Sequence, residues 1–306
     1  MTSSRSLRTW TAAAAAAVLL LGGSCKVQLT PENVAKIVEG AIEASKDLTP
    51  ENEYYVGRSV ATTILARHDY AYRDARALRR GELGGLTEYV NRVGAVVAYA
   101  ALEVSRDGDR EAPLAGWHFV VLEHDSINAF AAPGGYVFVT SGALRNATSE
   151  DELAAVLAHE VAHVRRGHAL GSIKKSRWAN VAKDALSTTV QLDEAALGNL
   201  TQAFEGAMED MTDALIVKGY SRDTEFEADR VGLEIMQRAG YDPRAFVAYL
   251  RRLADKQHTG TGGFYATHPK ASERIAQLEA KVAALPEPEP SKARLKRFKQ
   301  AIKALD

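Results

Sequence analysis

Cysteine is almost absent from this chain: Cys25 is the only one in 306 residues. An intrachain disulfide is therefore impossible, and any fold held together by bridges is excluded. Net charge is also lacking, with 38 basic side chains against 39 acidic ones. The two signs are interspersed, so no basic surface of the kind phosphate backbones demand is supplied, and nucleic acid is excluded as a partner. Apolar runs long enough to span a bilayer are missing too. The longest, residues 9–21, falls short of the roughly 20 residues a crossing helix needs. No internal repeat is found, and hydrophobic residues at 46% leave ample material for a buried core.

The one apolar run has a different use. Arg5 and Arg8 precede it without an acid, and small residues Gly22, Gly23 and Ser24 follow it, which is the layout of an export signal over residues 1–24. Leu21-Gly22-Gly23-Ser24-Cys25 resembles a bacterial lipobox, so Cys25 is expected to carry lipid. Lys26, rather than an acid, follows it, which resembles the outer-membrane sorting outcome. The expected location is the periplasm, with the chain anchored to the outer membrane through Cys25.

Beyond Pro31 the hydrophobic spacing predicts helices over about 31–46, 50–78 and 86–104. Trp117–Glu123 and Tyr136–Thr140 are short aromatic and β-branched runs separated by the Pro133-Gly134-Gly135 turn, and predict a small antiparallel sheet. A helix over about 149–168 opens with Ser149 and Glu152 as a capping box. Further helices are expected over about 172–218, from Ser221 to Ala239, from Asp242-Pro243 to about Lys256, and from near Lys270 after a glycine-rich loop at 259–263. The fold class is α+β, mainly helical. Residues 26–285 form one domain, and 286–306 a Pro/Glu linker with a basic helical tail suited to a membrane surface or a protein partner.

The chemistry is concentrated at His159-Glu160-Val161-Ala162-His163. At about 100° per residue the two histidines lie one turn apart on a single face, so both rings can reach one zinc ion while Glu160 flanks it as general base. Leu153, Leu157, Val161 and Val164 fall on another face, which predicts a histidine side distinct from the core side. A catalytic zinc needs a third protein ligand. In the helix opened by Ser221, Glu225 and Asp229 share the packing face with Ala228, Gly232 and Met236. A buried carboxylate demands a compensating cation, so Glu225 is the expected third ligand, with Asp229 one turn on to receive a ligand histidine's free ring N–H. Ala228 and Gly232 would let the two helices approach closely. Gly167 and His168 fall at the wrong spacing for the metzincin pattern, and His168 projects away from His159 if the helix continues, which assigns it to packing or capping. His68, His118, His124 and His258 have no ligand-like spacing, and by spacing alone His268 is a turn residue before Pro269.

Taken together these residues resemble a known family. The ordered set runs from about residue 85 to 285. It comprises Asn128-Ala129-Phe130, Pro133-Gly134-Gly135-Tyr136, the His159–His163 helix with His168, Ser221-Arg222 with Glu225, Ala228 and Asp229, Ala239-Gly240-Tyr241-Asp242-Pro243, and Thr267-His268-Pro269 with Arg274. It is similar to the HtpX-like and CAAX prenyl protease-type zinc metallopeptidases, gluzincins, nearest to the periplasmic BepA and LoiP type. The resemblance implies a zincin-like fold with the sheet beside the active-site helix, and one Zn2+ per chain held by His159, His163 and Glu225. It also implies Glu160 as base, Asp229 behind the ligands, and a regulatory or transition-state role for His268 with Arg274. The implied activity is hydrolysis of peptide bonds in unfolded or misassembled cell-envelope proteins. Gly135, Tyr136 and Val137 would offer an edge strand to an extended substrate. The competing reading is a zinc-regulated periplasmic chaperone or assembly factor whose proteolysis is latent.

Overall fold

The computed structural model describes residues 49–73, 85–104, 106–171, 206, 208–209, 211–256, 268, 271–286, 289 and 291–305. The signal segment, Cys25, the helix expected at 31–46, most of that expected at 172–218, the glycine-rich loop, Thr267 and Pro269 lie outside these residues. Apart from Gly206, the described residues belong to one unit, Thr49–Ser172 with Met208–Asp306.

At its centre is helix α4, Glu150–Arg165. Ser149 Oγ accepts the Glu152 N–H, as a capping box requires. The return bond differs from expectation: the Glu152 carboxylate accepts the N–H of Thr148 at 2.7 Å, one residue before the cap, and pairs with Arg252. Every residue of α4 except Asp151 is buried. The expected division into a core face and a histidine face is thus a division between two kinds of burial. The apolar side packs against α2 (Leu86–Glu103) and the sheet, and the histidine side is covered by α6 (Arg222–Arg238) and α7 (Arg244–Lys256).

The sheet corrects the sequence reading. Its strands are β1 (Ala71–Tyr72), β2 (His118–Glu123), β3 (Ala129–Ala132) and β4 (Tyr136–Thr140), in the order β1-β2-β4-β3. β2 and β4, expected to be antiparallel neighbours, run parallel, with His118 opposite Tyr136 and Leu122 opposite Thr140. β3 makes the difference. The Pro133-Gly134-Gly135 turn joins β3 to β4 as an antiparallel hairpin, which leaves β2 to approach from the other side. Ala-Phe-Ala-Ala contains no β-branched residue, so strand propensity does not reveal β3. β1 replaces the end of the helix expected over 50–78: that helix, α1, spans Pro50–Ala66, and Tyr70 turns back into the core at 5% exposure.

At the carboxyl end, α8 (Ala271–Val282) is followed by α9 (Lys292–Ile302), capped by Ser291. The α9 tail is not free. Phe298 and Leu305 are buried in the main core cluster, so the apolar side that would enter a membrane surface is already occupied. Arg297 forms a bidentate pair with Glu150 and Arg294 donates to the Gly240 carbonyl, while Lys292, Lys296, Lys299 and Lys303 stay exposed. Among the described residues no helix is long and apolar enough to cross a membrane.

α1 meets the hairpin turn at Gly57, where an added Cβ would lie 1.9 Å from the Pro133 carbonyl oxygen. Alanine improves helix propensity by about 1 kcal/mol, but the backbone here has to move, and overpacking of this kind costs about 1–3 kcal/mol. Gly57→Ala is expected to lower unfolding free energy by about 1 kcal/mol net, read as a lower urea midpoint at unchanged slope.

Candidate metal centre

Two helices build the site. α4 presents His159 and His163 on one face, with Nε2 atoms 3.0 Å apart. α6, capped by Ser221 Oγ accepting the Thr224 N–H at 3.4 Å, brings Glu225 opposite them. Its Oε2 lies 3.5 Å from His159 Nε2 and its Oε1 3.4 Å from His163 Nε2. The approach depends on Gly232, where a Cβ would stand 3.2 Å from the His159 backbone nitrogen, so the expected close contact of the helices is present. Ligands about 2.0 Å from a tetrahedral ion stand about 3.3 Å from one another, and the three observed separations bracket that value. His268 is the fourth member: its Nδ1 is 3.3 Å from His159 Nε2 and 2.9 Å from Glu225 Oε2, and its Nε2 is 3.3 Å from the Ala129 carbonyl oxygen. Donor atoms of all four residues lie within 4.8 Å of one another, and all four are buried.

The electrostatics call for a cation. Glu160, Glu225 and Asp229 are each at most 3% exposed, and among the described residues Arg274, 1% exposed, is the buried guanidinium that contacts them. With neutral imidazoles, three carboxylates and one arginine leave two negative charges in the interior, which a divalent ion would balance. Glu160 carries a second sign of the same deficit: both carboxylate oxygens are buried with no hydrogen-bond donor among the described residues. Burial pushes its carboxyl above the usual range, although His268 and His159 oppose the shift. Burial also opposes the charge on Glu225, but neighbouring His268 and Arg274 outweigh it and hold that carboxyl well below its ordinary value. His163 is driven well below the usual imidazole range, chiefly by burial, and so stays a neutral donor. For His159, burial and Arg274 disfavour the charged ring, yet the Asp229 and Glu225 carboxylates, acceptors for its N–H groups, lift it to about 9. The acids draw positive charge to this point. The donor set of two imidazoles and a carboxylate suits a first-row divalent metal.

Asp229, expected to receive a ligand histidine's ring N–H, has its Oδ1 3.0 Å from His159 Nδ1. Arg274 lies behind the acids, donating to Asp229 at 2.8 and 2.6 Å, with its NH1 3.1 Å from Glu225 Oε2. Gly135, Tyr136 and Val137 do not form an edge. Gly135 belongs to the turn, and β4 is paired on both sides, Tyr136 with His118 and Ala132, Val137 with Phe119 and Ala131. The outer strand is β3, and two of its outward carbonyls are already engaged, Ala129 by His268 and Ala131 by the Tyr220 hydroxyl at 3.5 Å. Cys25 lies outside the described residues.

Three residues escaped the sequence reading. Tyr220 stacks on His163, with ring centroids 4.1 Å apart and planes inclined by 17°. It immediately precedes the Ser221 cap, and no spacing pattern marks it. His168, assigned to packing or capping, points its Nδ1 at His163 Nδ1 from 2.8 Å. The α4 helix ends at Arg165 and Gly167 adopts φ +66, so the chain folds the ring back rather than projecting it away. Glu227, two residues after Glu225 on α6, contacts His168 Nε2 at 3.2 Å.

Residues 86–282 match the family described as Peptidase family M48. The chain is 29% identical over 262 residues to the beta-barrel assembly-enhancing protease of Yersinia pestis, covering 80% of this chain and 49% of that protein. It is 33% identical over 204 residues to the mitochondrial metalloendopeptidase OMA1 of Schizosaccharomyces pombe, covering 63% and 56%. It is 30% identical over 166 residues to the metalloprotease YcaL of Escherichia coli (strain K12), covering 54% and 62%. The chain thus spans about half the length of the Yersinia protein it matches.

Replacing an outer partner of a metal ligand already costs about ten- to hundredfold in affinity, and Glu225 is itself in the donor set. Glu225→Gln is therefore expected to weaken zinc binding by more than about a hundredfold, measured by competition with a chromophoric chelator, with the far-UV circular dichroism unchanged.

Proposed function

Because this chain belongs to peptidase family M48, we propose that it is a zinc-dependent endopeptidase that cleaves unfolded or misassembled cell-envelope proteins. The supporting observation is the buried constellation of His159, His163 and Glu225 with Glu160 beside it. The chemistry that zinc supplies at such a place is Lewis acidity, which polarises a carbonyl oxygen and eases loss of a proton from water. Glu160 does the proton work. A carboxylate buried without donors is a stronger base than one in water, so Glu160 takes the proton of the attacking water and delivers it to the leaving nitrogen. Asp229 and Arg274 hold their places behind the ligands throughout.

For the substrate, the outer edge of β3 replaces the edge expected at 135–139. An extended segment pairing there would take over the Ala129 and Ala131 carbonyls and displace His268 and Tyr220 from them. Main-chain pairing selects weakly for sequence and strongly for an unfolded chain. We also propose export by the 1–24 segment, lipidation at Cys25 and a periplasmic site of action at the outer membrane, on the sequence features alone.

The second reading, a zinc-regulated chaperone or assembly factor with latent proteolysis, draws on the position of His268, whose Nδ1 sits within 3.3 Å of both His159 and Glu225 where water or substrate would enter. One pair of variants separates the two. Glu160→Gln should keep its zinc and lose at least about a thousandfold in casein hydrolysis, the scale expected when base catalysis is removed together with the proton it delivers; hydrolysis at the unmodified rate would remove Glu160 from the scheme. His268→Ala should raise casein hydrolysis several-fold if the ring holds the site shut, and lower it if the ring assists the reaction.

A further inference from the structure

The two ligand histidines are supported differently. Both present Nε2 to the common point, so each must carry its ring proton on Nδ1. At His159 that nitrogen stands 3.0 Å from a carboxylate oxygen, Asp229 Oδ1. Among the described residues no carboxylate stands at His163 Nδ1. It faces another imidazole nitrogen, His168 Nδ1 at 2.8 Å, and of two such nitrogens one has to donate and the other accept. With the His163 Nε2 lone pair committed to the metal, His163 is the donor. His168 must then accept at Nδ1 and keep its own proton on Nε2, and that nitrogen lies 3.2 Å from Glu227 Oε2, where it donates. The far end is fixed as well. Arg166 donates to Glu227 Oε1 from Nε at 2.9 Å, and to Asp109 Oδ1 at 2.9 Å; Asp109 also accepts from Arg165 at 3.1 Å.

We propose that His168 and Glu227 are positioning residues that hold the second ligand histidine in its metal-binding tautomer, a carboxylate–imidazole relay doing for His163 what Asp229 does for His159. Three features of the chain exist to make it. Gly167 at φ +66 turns the chain so that His168 comes back under α4, and a side chain there would crowd Arg110, whose Cδ would be 3.3 Å from the added Cβ. Tyr220 covers the flat face of His163 while His168 holds its edge, so the ring is constrained in two independent directions. Arg166, directly before that glycine, anchors the acid at the end of the relay. The inference rests on the metal reading proposed above. It adds that affinity is set from two sides, by a buried acid on α6 and by a partly exposed one two residues earlier, with an imidazole between the latter and its ligand.

The test measures zinc affinity by competition with a chromophoric chelator and, on the cobalt(II)-substituted protein, the visible absorption that reports the ligand field. His168→Phe keeps ring volume but cannot accept, and should weaken zinc about ten- to hundredfold and shift the cobalt bands. His168→Asn, whose side-chain oxygen can accept from His163, should recover most of that loss. Glu227→Gln should cost less, about three- to tenfold, because the imidazole still accepts; this variant also serves if His168→Phe does not fold. Retention of zinc affinity within twofold and an unmoved cobalt spectrum in His168→Phe, or in Glu227→Gln where that is the variant read, would overturn the relay. Should the unmodified protein itself bind no zinc, the metal reading falls instead.

Discussion

Three carboxylates in a closed interior with one guanidinium to answer them are the constraint on which this structure turns. Unpaired buried charge is among the most expensive things a fold can hold. Glu160, Glu225 and Asp229 are nevertheless packed between α4 and α6, whose close approach is made possible by Gly232. Arg274 compensates Asp229 through two hydrogen bonds and reaches Glu225 with its third nitrogen. What is left over is matched in charge and in spacing by one divalent ion. A bound ion would in this sense couple metal binding to local folding, since it would supply the positive charge that the packed acids call for.

Much of this was legible in the sequence because it is carried by short-range spacing. Two histidines four apart on a capped helix share a face whatever surrounds them, and two acids on the small-residue side of α6 announce burial before any coordinates exist. The features that stayed hidden are those set by chain reversal. β3 carries no β-branched residue, and its place beside β4 follows from the Pro133-Gly134-Gly135 turn; without it, β4 reads as an edge and β2 as its antiparallel neighbour. His168 misled for a related reason. An extrapolated helix throws its ring to the far side, whereas one glycine at positive φ brings it back to His163. The basic tail reads as a free amphipathic helix because its apolar residues are few, and only the core shows that Phe298 and Leu305 fill gaps in it.

The same site explains why a protease of this kind need not be active at all times. His268 and Tyr220 both approach the metal position and both occupy outward carbonyls of β3, at Ala129 and Ala131. These are alternate residues on one strand edge, the pair that an added strand would use first. On the function proposed above, a substrate pairing with β3 would compete for the same acceptors as the residues covering the site. Under that proposal, binding of an extended chain and exposure of the site would be coupled, because the carbonyls that would receive the substrate's N–H groups are the ones His268 and Tyr220 occupy.

Which parts can move to allow this follows from how α4 is held. Its amino-terminal end is fixed through Glu150, buried in the first turn where the helix dipole favours an acid, by both nitrogens of Arg297 and the hydroxyls of Tyr89 and Tyr241. Its carboxyl-terminal end is tied through Arg165 to Asp109 and to the Arg110 carbonyl. Between these ends the helix is buried on every side, with α6 seated on it at Gly232. His159, His163 and Glu225 consequently have little freedom, and the donor set is held in place from both ends of the helix. Tyr220 is carried differently. It follows a π-helical turn, Ala214–Lys218, and Gly219 at φ +65, a stretch whose hydrogen bonding is irregular and whose backbone is already away from helical geometry. Opening that leaves α4 and α6 in place and moves the segment before Ser221 disturbs the least of the buried interior. A rigid metal frame with its cover carried on an irregular neighbouring segment meets two requirements that one element could not satisfy alone.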